Sequence, residues 1–219
     1  MKTKNIENHE SISNIFEKLT NTGLKFLVMR NYEALNQDNL FADGHEDIDL
    51  LCDNHYLAIK ALNAVPIYHF PHRNSYMVKV KNLDVQVDIR FLGDGYYDLA
   101  WQNDMLNHRI EHTKNIFIMD PENLFYSLIF HATFHKNFMS DDYLTRLIDM
   151  ARSLKLIAEC ENCLIKLLFE FMNKKGYRAT ITRDPGIILN YDKIPRNLIQ
   201  PNPIRQFKRC LLRLGNYRA

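Results

Sequence analysis

Residues 47–52 read Asp-Ile-Asp-Leu-Leu-Cys, two acids one residue apart in an otherwise apolar run. In a β-strand, residues i and i+2 point to the same side, so Asp47 and Asp49 are expected side by side, with Ile48 and Leu50 turned the other way. Acids are depleted in strands, and two parallel carboxylates repel unless a cation lies between them. Hard divalent ions suit that place, because they prefer oxygen ligands and are held by one or two carboxylates together with substrate phosphates. The alternative is a solvated strand edge carrying incidental acids.

A second run, Val85-Gln86-Val87-Asp88-Ile89-Arg90-Phe91, alternates in the same manner. Asp88 is expected to share a face with Gln86 and Arg90, while Val85, Val87, Ile89 and Phe91 line the other. Asp84, on the same face four residues earlier, follows Asn82 and Leu83 and is assigned to the turn. If the two strands are neighbours, Asp47, Asp49 and Asp88 converge, which is the layout that a two-metal phosphoryl or nucleotidyl transfer requires. Arg30 and Arg90 could each pair with an acid of this cluster or bind phosphate.

The paired-aspartate strand followed by a third aspartate on a later strand resembles the polymerase-β-type nucleotidyltransferase superfamily. The string His45-Glu46-Asp47-Ile48-Asp49-Leu50 is similar to that of small antibiotic nucleotidyltransferases. The flanks, Leu27-Val28-Met29-Arg30-Asn31-Tyr32-Glu33 and Tyr126 to Lys136, look closer to nucleotidyltransferase-like proteins associated with bacterial cell-surface polysaccharide synthesis. The resemblance covers about residues 24–145. It implies an α/β (α+β) fold, a nucleotidyltransferase-type mixed sheet with flanking helices followed by a C-terminal helical unit. It also implies Asp47, Asp49 and Asp88 as catalytic metal ligands, two Mg²⁺ or Mn²⁺ ions, a nucleoside triphosphate donor, and a small sugar- or polyol-type acceptor. Superfamily members carry a Gly-Ser or Gly-Gly pair at the end of the strand before the aspartates. Here that place reads Arg30-Asn31-Tyr32-Glu33, and the guanidinium fork of Arg30 is expected to bind phosphate in place of backbone amides. Minimal toxin–antitoxin nucleotidyltransferases fit less well, being shorter and keeping the glycine pair.

His131 and His135 lie four apart in a stretch of helical pattern, with Lys136 alongside. The resemblance implies contact with the nucleotide, Lys136 touching phosphate and one histidine orienting an acceptor hydroxyl. A zinc site would need a glutamate next to the first histidine, and Ala132 and Thr133 do not supply one. A half-buried helix with satisfied polar side chains is the structural alternative.

The 219 residues suffice for one large domain or two small ones. A hydrophobic content of 46% and charged content of 25% are those of a globular protein. A net charge of +2 argues against whole-surface nucleic-acid binding, so no nucleic-acid partner is expected. No run approaches the roughly 20 apolar residues of a membrane span, and residues 1–7 lack a signal core, so a cytoplasmic location is expected. Cys52, Cys160, Cys163 and Cys210 are expected as packing thiols, since Cys160-x-x-Cys163 lies inside a helical pattern and no second pair completes a zinc set.

Along the chain, residues 6–20 read as a helix, 24–29 as a core strand, 31–46 as a polar active-site loop and 54–64 as a second helix. Residues 65–70 and 75–80 suggest a hairpin, with Pro66 restricting the first arm to an edge. A helix over 96–107 and a short strand at 116–119 follow. Asp120-Pro121 marks a helix start, and the pattern then stays helical to about 174 with a break near 137–141. The resulting division is a catalytic domain at 1–119 and a helical domain at 120–219. Residues 204–214 form a basic amphipathic stretch, either a docking helix or a peripheral contact with a membrane or an anionic lipid-linked acceptor. Oligomeric state is not legible.

Overall fold

The computed structural model describes residues 8–33, 35, 47–68, 73–136, 138–187, 189–200, 204, 207 and 211. The chain divides into two units, 1–92 with 102–119, and 93–101 with 120–219. Among the described residues, no helix is long and apolar enough to cross a membrane.

The first unit is built on a mixed sheet with helices packed against it. Its elements are β1 (Asn8–His9), α1 (Ile12–Asn21), β2 (Phe26–Val28), β3 (Asp47–Cys52), α2 (His55–Ala61), β4 (Val65–Pro66), β5 (Ser75–Val80) and β6 (Leu83–Phe91). After α3 (Leu99–Asn107), whose first residues belong to the second unit, come β7 (Ile110–Thr113) and β8 (Ile116–Ile118). The strand order is β1-β5-β6-β3-β2-β8-β7, with β4 pairing outside β5. Strands β3 and β6 run parallel at the centre, and β2 and β5 flank them antiparallel.

The alternation read from the sequence decides which side of the sheet holds the core. Ile48, Leu50 and Cys52 of β3, Val85, Val87 and Ile89 of β6, and Tyr76, Val78 and Val80 of β5 form one apolar layer. Ile12, Ile15, Phe16 and Leu19 of α1 and Ala58 of α2 close over it. Because the side-chain period is two, the intervening residues are held on the opposite face.

Several boundaries differ from expectation for visible reasons. Helix α1 starts at Ile12 because Ser11 caps it, accepting from the Asn14 amide at 3.1 Å, while Asn8 and His9 join β5 as a short parallel edge. Lys81 and Asn82 take positive φ values of 49° and 65°, the tight two-residue turn that suits a hairpin. That turn draws Asp84, assigned to the turn from sequence, into β6 opposite Lys79, with which it forms a 2.8 Å ion pair. Only Val65–Pro66 of the expected 65–70 arm is strand, and residues 69–72 lie outside the described residues. The short strand β7 had no counterpart in the sequence reading. Of the loop read at 31–46, residues 34 and 36–46 lie outside the described residues, and with them Gly44, His45 and Glu46.

The second unit is mainly helical: α4 (Pro121–Phe130), a π-helical turn (His131–His135), α5 (Asp141–Ser153), α6 (Glu161–Lys175) and two short 3-10 turns at Tyr191–Lys193 and Arg196–Leu198. Asp120 caps α4 as expected, accepting from the amides of Glu122 and Asn123 at 3.1 Å each, with Pro121 in the first turn. The helical run to 174 breaks a second time at 154–160, where Lys155 adopts a φ of 59°. Cys160 therefore stands before α6 as its cap instead of inside a helix. Its Cα lies 5.2 Å from that of Cys163, within disulfide range, and the two are joined by a disulfide. This corrects the expectation of separate packing thiols for that pair; Cys52 is a buried thiol that donates to the Arg90 carbonyl at 3.4 Å, and Cys210 lies outside the described residues. Within the basic stretch at 204–214, Ile204, Phe207 and Leu211 are described, helical and exposed.

Candidate functional site

The parallel register of the central strands sets Asp49 directly against Asp88, and Asp47 against Gln86. On the other side of β6, Ser75 is the partner of Asp88. A polar row Ser75–Asp88–Asp49 therefore crosses three adjacent strands on the face away from the core. Asp47, Asp49 and Asp88 each present a carboxylate oxygen within 4.8 Å of the others. Such a set is what a hard cation uses, with oxygen donors only and enough spacing for one ion or a close pair.

Two guanidinium groups serve this cluster. The antiparallel pairing of β2 with β3 is extended by the Met29 amide donating to the Asp49 carbonyl at 2.8 Å, which carries Arg30 beside the Asp49 side chain. Arg30 donates to Asp49 Oδ2 through Nε at 3.0 Å and Nη2 at 2.6 Å. This pairing is one of the two roles the sequence leaves open for Arg30. Arg90, almost fully buried on β6, lies 3.5 Å from Asp88 Oδ2 through Nη2. Gln86 Nε2 donates to Asp88 Oδ1 at 3.2 Å.

Burial of Asp88 pushes its pKa above the usual carboxylate range, and the neighbouring charge of Asp49 adds to this. Arg90, Ser75 and Gln86 oppose the shift without cancelling it. Ionising an acid is costly in such a place, and a cation arriving beside it would favour the charged form.

The residue after Arg30 bears on the absent glycine pair. Asn31 has a φ of 54°, in the left-handed region where glycine is usual and asparagine is the best-tolerated substitute. The backbone beyond β2 thus makes a glycine-type turn without glycine.

His55, which the sequence reading passed over, opens α2 beside the sheet. Its ring stacks on Phe91 at 4.3 Å and its Nε2 is 3.1 Å from the Tyr76 hydroxyl. Burial first, then the positive charge of Arg90, lowers its pKa to about 4. Ser75 was missed as well. Alternation assigns a residue to a face but does not say which strand lies opposite, and only the pairing reveals its bond to Asp88.

His131, His135 and Lys136 belong to the second unit and are not part of the carboxylate cluster. The π-helical turn that carries the histidines replaces the expected α-helix; π-turns of this kind are frequent at functional sites. His135 is buried, its ring 4.3 Å from that of Tyr96 and 5.3 Å from Phe130. His131 is half-buried, with Nδ1 3.0 Å from the Tyr96 hydroxyl. Lys136 has left the helix in an extended conformation and is exposed, so it no longer shares the histidines' helical face.

No protein-family pattern matches the chain, and no curated relative does. Among solved structures, the antibiotic-resistance factor ANT(2'')-Ia is similar over 75% of this chain and 91% of its own, at 11% identity and a TM-score of 0.43. An antigenic nucleotidyltransferase-like protein from Paracoccidioides brasiliensis is similar over 75% of this chain and 87% of its own, at 15% identity and a TM-score of 0.45. Both overlaps are too loose to assign a family.

Proposed function

We propose that the first unit is a divalent-metal-dependent nucleotidyltransferase, moving a nucleotidyl or phosphoryl group from a nucleoside triphosphate to a hydroxyl or phosphate of a small sugar- or polyol-type acceptor. The observation that carries this reading is the convergence of Asp47, Asp49 and Asp88 across β3 and β6. These three carboxylates would hold Mg²⁺ or Mn²⁺, whose chemistry when bound is to neutralise charge on the phosphate oxygens and acidify an acceptor hydroxyl. The chain's own contribution is positional. The sheet fixes the carboxylates, Ser75 and Gln86 orient Asp88, and Arg30 stands at Asp49 with a planar fork suited to phosphate. The left-handed turn at Asn31 supports the reading, since it supplies the backbone course for which a glycine is otherwise needed.

The resemblance alone supports a place in surface-polysaccharide synthesis and substrate contacts by His131, His135 and Lys136. Thermal unfolding with each nucleoside triphosphate, with and without Mg²⁺, and transfer of label from the triphosphate to candidate acceptors test the proposal together. Stabilisation that needs both metal and nucleotide is expected. Asp49→Asn is expected to cut transfer more than about 100-fold while leaving the fold intact; an active Asn variant would refute the metal assignment. Metal-dependent nucleotide binding without turnover on a broad acceptor panel would instead indicate a binding subunit. Drug resistance in a host expressing the chain would indicate an antibiotic as acceptor.

A further inference from the structure

The disulfide between Cys160 and Cys163 lies at the start of α6, ahead in the chain of that helix's buried residues Leu164, Leu168, Phe171 and Met172. Cys160 is exposed and Cys163 half-buried. The ring they close spans four consecutive residues, and the stabilisation a disulfide provides by restraining the unfolded chain is smallest for such short loops. Helix α6 is packed through those four buried residues, further along than the bond. A crosslink with little structural role, placed where solvent reaches it, is of the kind that is made and broken.

The local geometry also favours reaction at one sulfur over the other. Cys160 is the N-cap, and its Sγ accepts from the Cys163 amide at 3.2 Å. The positive end of a helix and an amide donor both favour a thiolate at that position. Glu159 and Glu161 flank it and moderate the effect.

We propose that Cys160 and Cys163 form a reversible dithiol–disulfide site that exchanges with low-molecular-weight disulfides. The Cys160 thiolate attacks one sulfur of the small disulfide, forming a mixed disulfide and expelling one thiolate, which takes a proton. The Cys163 thiol then loses its proton and attacks the Cys160 sulfur, closing the protein disulfide and expelling the second small thiol. Two electrons pass from the cysteine pair to the small disulfide, which leaves as two thiols. The reverse sequence reopens the pair.

Glutathione is the probe. The full chain is equilibrated with graded mixtures of its reduced and oxidised forms, quenched in acid, alkylated and digested with trypsin. The peptide 156–166 carries both cysteines and neither Cys52 nor Cys210. Its two thiols are expected to disappear together in one transition as the mixture becomes more oxidising, and to return on reversal. Cys163→Ser is expected to retain one glutathione on Cys160. Cys160→Ser, which keeps a capping oxygen, is expected to lose intramolecular oxidation. The proposal is overturned if the pair stays bonded in excess reduced glutathione or stays reduced in the fully oxidised mixture. It is equally overturned if oxidation joins either cysteine to Cys210, or if Cys163→Ser carries no adduct on Cys160.

Discussion

Asp49 and Asp88 face each other across the sheet but are stabilised unequally. Asp49 is buried and held by two bonds from Arg30, whereas Asp88 has its nearest guanidinium contact at 3.5 Å and a pKa raised by burial and by Asp49. Removing charge at the two places should therefore have opposite consequences. Arg30→Ala leaves a buried carboxylate without its partner and is expected to cost about 3 kcal/mol of metal-free stability, part of it regained on adding Mg²⁺. Asp88→Asn removes the charge that burial penalises. For Asp88 the folded state holds its proton more tightly than the unfolded chain, so stability falls as pH rises through the window between the ordinary carboxylate pKa and the raised one. The Asn variant escapes that loss and is expected to melt above the parent at neutral pH in a chelator, yet gain nothing from Mg²⁺. Denaturation curves of both variants with and without metal check the pair. Asp47, Asp49 and Asp88 were legible in the sequence because acids among branched apolar neighbours are conspicuous. Ser75 was not, since a single serine at the start of a strand signals nothing until its partner is known.

Helix α2 carries a pH response of its own. Its first residue, His55, is stacked on Phe91 and bonded to Tyr76, with a pKa lowered to about 4 by burial and by Arg90. The imidazole is neutral in the fold, and a helix N-terminus also disfavours the charged ring. Folding stability is thus complete above the unfolded value near 6.5 and declines as pH falls toward 4. At a partly exposed position, solvent screening limits the loss to about 1–2 kcal/mol. Unfolding midpoints measured across this range are expected to fall less steeply for His55→Gln than for the parent. At this scale the long periodic elements were readable and the short ones were not. Strands β3 and β6 announce themselves through alternation, and Asp120-Pro121 marks the start of α4. Strand β7 does not, because exposed Glu111 and His112 interrupt its pattern. The break at Lys155 also escapes notice, since Leu154, Ile157 and Ala158 keep helical apolar spacing through it and no glycine or proline intervenes.

For the molecule as a whole, the sequence suggested a boundary at 119, whereas 93–101 packs with the second unit despite preceding β7 and β8 in the chain. A change from sheet pattern to helix pattern locates a boundary only when each unit is one continuous stretch, and here the chain leaves and returns. The central pairing of the first unit has a similar non-local character. Strands β3 and β6 are joined only after α2, β4 and β5 have intervened. Asp88 therefore cannot join Asp47 and Asp49 around a cation until its distant segment has docked in register. Contacts of this sort close late, after the loop entropy has been met. Mg²⁺ should then act on one limb of the kinetics only: stopped-flow traces are expected to show slower unfolding in its presence and an unchanged refolding rate. On the proposed metal-binding reading, starving a cell of metal would not misfold this protein; it would shorten the time each folded molecule lasts.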